Sequence, residues 1–285
     1  MSKFLYLTLS LILLLNASYL SAEETSVVAK IVAKPLDIKG DWVQGGLLHG
    51  QTVPGNTVTV FGHSASVDER GRFIFGLGRD TKKRIDVEVK TVDGQSRVYP
   101  FDVEQREYDI QRIEGVAKKY VAPPKSVSKR ISTEAAQVKK ARKVLRDAEE
   151  FRQGFTWPLI GRITGVYGSQ RVFNGVPKRP HYGLDIAGPI GATVVAPAPG
   201  VVTLAHENMY YSGGTLIVDH GQGLSSTFIH LSKILVKVGD PIVRGQAIAE
   251  VGASGRVTGP HLDWRMNWKN QRIDPFLLVP PMPES

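Results

Sequence analysis

Arg179-Pro180-His181-Tyr182-Gly183-Leu184-Asp185-Ile186 is the stretch from which the fold and its chemistry are read. It sets a histidine and a carboxylate four residues apart, with a glycine between them. Both are ligand types that zinc accepts. On a helix this spacing would put the two side chains on one face. In an extended strand they also share a face, but stand roughly 13 Å apart. They reach a common ion only if the backbone bends, and Gly183 is the residue expected to let it bend. Gly259-Pro260-His261-Leu262-Asp263 strengthens the metal reading. In a strand, His261 and Asp263 leave the same face with their Cβ atoms roughly 6–7 Å apart, so both can address one small volume. His230, at the end of Phe228-Ile229-His230, is a third histidine in a strand-like context.

Around these stretches the texture is glycine-rich β structure. From Phe155 onward come Thr193-Val194-Val195-Ala196, Gly200-Val201-Val202-Thr203-Leu204, Thr215-Leu216-Ile217-Val218 and Ala247-Ile248-Ala249-Glu250-Val251, with Gly or Pro in nearly every gap. A compact antiparallel β domain over 155–281 follows. Residues 27–110 also read as β. Ile85, Val87 and Val89 alternate with Asp86, Glu88 and Lys90, and Asp93-Gly94 supplies a tight turn. Short strands with frequent turns and no helical run suggest a small sandwich of immunoglobulin-like type. His49 and His63 lack a neighbouring ligand partner and read as packing or surface residues.

Between the two β regions, 111–154 is a basic linker and helix. Pro123-Pro124 marks the linker, and a helix is expected over Thr133–Gln153, capped by Ser132 and stopped by Gly154. Its expected apolar face is Val138, Ala141, Leu145, Ala148 and Phe151. Lys118 to Arg152 holds eleven basic and four acidic side chains, a net of +7 out of a chain total of +9. That face is either a solvated surface between domains or a tether to anionic envelope polymer or lipid.

The first 22 residues read as a secretory signal. Lys3 precedes the apolar run Phe4 to Leu15, and Leu20-Ser21-Ala22 offers small residues for cleavage. The run is shorter than the ~20 residues a membrane-spanning helix needs. The protein is therefore expected to be exported, to the periplasm or cell envelope. Cysteine is absent, so neither disulfides nor a lipid-bearing cysteine are available. For an exported protein the basic charge argues for envelope polyanions and against nucleic acid.

The last ~125 residues resemble the lysostaphin/LytM-type zinc metallopeptidases, which cut peptide cross-bridges of peptidoglycan. The matching pieces are His181-x-x-x-Asp185, Ile217-Val218-Asp219-His220-Gly221, Ser226-Thr227-Phe228-Ile229-His230-Leu231-Ser232 and Ser254-Gly255-x-x-Thr258-Gly259-Pro260-His261-Leu262, in the family's order. The resemblance implies that His181 and Asp185 are zinc ligands and that His230 and His261 are a catalytic pair. The third ligand position falls on Asp263, where the family pattern His-x-His reads His-x-Asp. Phe228 stands where the family commonly has Tyr, and Trp264-Arg265-Met266 departs from its usual ending. An aspartate ligand would leave a zinc site near zero net charge instead of near +1, polarising a carbonyl less, and would tolerate manganese better. The expected activity is an endopeptidase acting on peptidoglycan peptide. The alternative is a catalytically inactive relative that binds peptidoglycan or activates a separate cell-wall amidase. His220 reads as structural, and His206-Glu207, adjacent in a strand, point to opposite faces.

Overall fold

A computed structural model describes residues 35–113 and 125–283. The expected signal segment, the start of the N-terminal β region and most of the proline-marked linker lie outside the described residues. The described chain is mainly β, with antiparallel sheets as expected.

The N-terminal region contributes β1 (Leu36–Lys39), β2 (Leu47–Thr52), β3 (Thr57–Val60), β4 (His63–Ala65), β5 (Arg72–Gly76), β6 (Arg84–Lys90), β7 (Ser96–Asp102) and β8 (Ile110–Ile113). They form a three-stranded sheet, β1-β2-β5, and a four-stranded sheet, β4-β3-β6-β7. In β6 the alternation is realised residue by residue: Ile85, Val87 and Val89 are buried and their neighbours exposed. Strand β8 leaves these sheets and pairs in parallel with β10 (Gln170–Phe173).

Most of the C-terminal region is one ten-stranded sheet, whose central order is β17 (Pro241–Ile242), β14 (Gly200–Met209), β15 (Gly213–Gly221), β16 (Leu224–Ile234), β19 (His261–Trp268), β12 (Leu184–Ala187) and β9 (Ile163–Gly165). Strands β13 (Thr193–Val195) and β18 (Ala247–Val251) pair beside β16, β20 (Gln271–Ile273) pairs with β19, and β11 (Val176–Pro177) pairs with β10. Alternation in β19 decides the chemistry. Leu262, Trp264, Met266 and Trp268 are fully buried on the core face, which leaves His261, Asp263, Arg265 and Asn267 together on the other. Trp268 meets Phe75 edge-on with ring centres 6.4 Å apart, and Arg106 pairs with Asp274 at 2.7 Å, so both β regions share one core.

Helix α1 runs Ser128–Ala141, not Thr133–Gln153, and no side chain caps its start; the Ser132 hydroxyl instead donates to the Lys129 carbonyl. After it the chain opens, and a single 3-10 turn follows at Glu150–Gln153, ended by Gly154 at φ 76°. Ala141 and Phe151 are buried, as the periodicity suggested, but Leu145 is exposed. Tertiary contacts override helical propensity here. Arg142 Nη2 donates to Thr227 Oγ1 at 2.9 Å, Arg146 Nε to Asp219 Oδ2 at 2.6 Å, and the Gln222 amide to the Arg146 carbonyl at 2.9 Å. These bonds draw residues 142–146 out of the helix and lay them along the sheet. Three basic side chains of this segment pair with acids, as Arg130–Glu134, Arg146–Glu150 and Arg152–Glu149, while Lys139, Lys140 and Lys143 remain exposed.

Candidate metal centre

Asp185 and Asp263 are direct cross-strand partners in the β12–β19 ladder. Like charges placed directly opposite repel, so this register calls for a cation between them. His181 supplies the third corner from the loop before β12. Its amide donates to the Ser169 carbonyl and its carbonyl accepts from Gly168, both at 2.8 Å. One ligand atom from each of His181, Asp185 and Asp263 lies within 4.8 Å of the other two. The three form a possible metal-binding triad.

The backbone bends at Gly183, immediately before β12, as the spacing required, though its φ is not positive. Gly183 also supplies space. A Cβ there would sit 2.4 Å from Asp263 Oδ1 and 2.6 Å from Arg265 Cγ. Gly165 does the same on the other side, where a Cβ would lie 2.3 Å from Asp185 Oδ2.

The donor set fits a divalent cation. His181 Nε2 and Asp185 Oδ1 face each other across 3.2 Å, yet both are buried with no hydrogen-bond partner. Two such atoms side by side are costly unless something charged satisfies them. Burial alone would lower the pKa of His181, but Asp185 and Asp263 outweigh it and raise it. Burial likewise pushes the Asp263 carboxyl up; Arg265 first, with His181 and His230, more than reverses this and holds it below the usual carboxylate range.

His230 and His261 stand beside the triad with ring centres 5.0 Å apart. Each places Nδ1 2.9 Å from a backbone carbonyl, that of Ser254 for His230 and that of Gly259 for His261. Nδ1 must therefore carry the proton, which leaves Nε2 as the basic nitrogen of both rings. His261 Nε2 lies 3.7 Å from Asp185 Oδ1. Burial lowers the pKa of His230. His230 has φ 67° and sits where β16 exchanges its partner β19 for β18. Such a left-handed angle on a non-glycine residue is strain of the kind found at functional sites.

All five residues singled out from the sequence thus meet in one place. His220 lies elsewhere, fully buried, with Nδ1 donating to the Pro199 carbonyl at 2.6 Å and Nε2 2.8 Å from Ser226 Oγ. His206 Nδ1 accepts from the backbone N–H of its near neighbour Asn208. Arg265 stood in the sequence only as part of a departure from the family's usual ending, with no role assigned. Two residues beyond Asp263 on the same strand face, it grips both Asp263 oxygens. The alternation that paired His261 with Asp263 also points to it.

Residues 179–275 match peptidase family M23. Among curated relatives, the chain is 40% identical over 106 residues to peptidoglycan DD-endopeptidase ShyB of Vibrio cholerae, and 38% identical over 126 residues to ShyA of the same organism. These alignments span 37% and 44% of this chain but only 25% and 29% of the relatives. A crystal structure from Pseudomonas aeruginosa described as a peptidase M23 superposes with a TM-score of 0.66 at 29% identity, over 82% of this chain and 93% of that one. Residues 179–275 of this chain form a peptidase family M23 domain.

Proposed function

We propose that the protein is an exported zinc-dependent endopeptidase that hydrolyses peptide cross-links of peptidoglycan. The observation that carries this reading is the convergence of His181, Asp185 and Asp263 within 4.8 Å, beside two histidines whose Nδ1 atoms are held by backbone carbonyls. The DD-endopeptidase relatives supply the substrate class.

His181, Asp185 and Asp263 would hold the ion, zinc by preference and manganese as a tolerated substitute. A bound zinc supplies Lewis acidity toward a scissile carbonyl and acidifies water. The chain's own residues handle the protons. His261 Nε2, beside Asp185, accepts a proton from the attacking water, while its Nδ1–H bond to Gly259 fixes ring and tautomer. The proton taken by His261 passes on to the leaving amine, while His230, held by the Ser254 carbonyl, is the second proton carrier and donates to the oxyanion only once its Nε2 has itself been protonated. Residues 1–22 would direct export. The domain limits expected from the sequence, 27–110, 111–154 and 155–281, remain part of this proposal.

One observation favours the alternative of an inactive relative that binds peptidoglycan or activates an amidase: both oxygens of Asp263 already accept from Arg265. Metal analysis of the purified protein, combined with digestion of cell-wall material before and after chelation, separates the two. The endopeptidase gives one zinc per chain and releases cross-linked peptides, with activity lost to chelator and restored by zinc. Inertness that no metal relieves, with wall binding intact, would establish the alternative.

A further inference from the structure

Arg265 Nε lies 2.9 and 3.1 Å from Asp263 Oδ1 and Oδ2, and Nη2 lies 2.5 Å from Oδ2. This is a side-on fork, in which guanidinium and carboxylate match in geometry and cancel in charge. The Asp263 side chain is only 3% exposed, so little solvent screens the pair. A carboxylate oxygen has two lone pairs; the single Nε hydrogen lies nearer Oδ1 and Nη2 binds Oδ2, so with Nε counted on Oδ1 each Asp263 oxygen keeps one lone pair to offer. Asp263 Oδ2 faces His181 Nδ1 at 4.0 Å, on the triad's side. The loop with His181 packs directly on the pair through the bare Cα of Gly183.

Formal charges around the triad then add up differently from the ligands alone. His181 contributes nothing, Asp185 and Asp263 contribute −1 each, and Arg265 returns +1. The sum of −1 equals that of two neutral ligands and one carboxylate. With a divalent ion the centre carries +1; without Arg265 it would carry zero.

We propose that Asp263 and Arg265 form one composite ligand, an oxygen donor whose charge an internal guanidinium cancels. The pair stands in for a neutral imidazole at the third corner and keeps the centre electrophilic. Arg265 is a positioning and charge-setting residue, not a ligand. The inference rests on the metal reading above, and its test reads metal affinity, not turnover.

The experiment compares the full chain with R265Q, D263H and D263H/R265Q, measuring zinc affinity by competition with a chromophoric chelator and stoichiometry by atomic emission. Arg265→Gln exposes the full charge of Asp263, so zinc should bind about tenfold or more tighter, still one per chain. Asp263→His strands a cation beside a neutral ligand and should weaken binding by about tenfold or more. The double variant replaces one neutral pair by another and should return to within about threefold of the parent. It leaves no buried charge unpaired, so it keeps the test decisive if R265Q fails to fold, which circular dichroism would show. Equal affinity of R265Q and the parent, or a double variant no better than D263H, would overturn the composite ligand. Zinc in the double variant but none in the parent would also overturn it, marking Arg265 as a replacement for the ion. Absence of zinc from parent and double variant alike would sink the underlying metal reading and the composite ligand with it.

Discussion

Two buried aspartates share one face of the large sheet, each gripped by an arginine, and they behave in opposite ways. Asp263 lies at the metal end, and its arginine sits two residues along the same strand. Asp219 lies toward the far end of the face, and its arginine, Arg146, arrives from the segment after α1. Arg146 is shared with Glu150 at 2.8 Å. Burial, with that second carboxylate, raises the Asp219 pKa, whereas Arg265 outweighs burial and lowers that of Asp263. Depth alone therefore does not set the direction of a carboxyl's shift. An undivided cation and neighbouring imidazoles hold the Asp263 carboxyl below its usual range. At the far end a divided cation merely fastens a covering segment to the sheet.

The largest expected effects lie at the metal end. His181→Ala removes a triad corner and should lower metal content from one per chain to near none, abolishing cross-link cleavage. His261→Ala should retain the metal and cut turnover by about 10²- to 10⁴-fold, the usual range for loss of a general acid–base group. Metal analysis beside a peptide-release assay reads both. Joint loss of metal and turnover in H261A would break the division between triad and proton carriers.

Next in size is the far end. Arg146→Met leaves Asp219 without its cation and should cost about 3–5 kcal/mol in urea unfolding. The cost should shrink in acid. A carboxyl whose native pKa lies above its unfolded value binds its proton more readily when folded, so it destabilises only as pH rises from the unfolded value of 3.8 through the native one. Metal content per folded molecule should be unchanged, which separates the two ends of the face.

How much of this was legible in the chain follows from the range of the signals. Alternation is local, so strands such as Arg84–Lys90 and His261–Trp268, and the sharing of a face by His261 and Asp263, could be read directly. Order and spacing likewise brought forward the five residues that the structure places together. Three features depended on contacts between distant residues. Helix α1 stops at Ala141 because Arg142 and Arg146 are drawn to Thr227 and Asp219 more than seventy positions away. Gly183 matters for the room it leaves to Asp263 and Arg265, which spacing within its own loop cannot reveal. Arg265 was within reach of the two-residue period, but its role emerged only with the fork on Asp263.

His220 gives a comparable effect from inside the core. Burial drives its pKa from 6.5 down to about 4. The folded state keeps it neutral while the unfolded chain protonates, so its contribution is complete above about 6.5 and lost as pH falls toward 4. Over that window the loss is about 3 kcal/mol. Thermal unfolding of the parent should show this acid slope, and His220→Gln, which cannot titrate, should flatten it.

The smallest effect belongs to Arg142, and its sign is the sharpest check on the comparison. Arg142 is a neighbour of Arg146 in the same covering segment, yet no carboxylate among the described residues lies within ion-pair distance of it. Its Nη2 meets Thr227, and its buried Nε has no partner. Burial, and then repulsion from Arg272, Arg265 and Arg179, pull its pKa well below the ordinary arginine value. Arg142→Met would forfeit one hydrogen bond of about 1 kcal/mol. It would also remove a desolvated charge and its repulsion, a change that is often neutral or stabilising. The urea midpoint should therefore hold or rise by the equivalent of about 1 kcal/mol, against the marked fall in R146M. Were R142M to fall as far as R146M, an arginine without an acid would be holding the segment as firmly as one with it. The contrast between Asp219 and Asp263 would then have to be drawn from packing instead of charge.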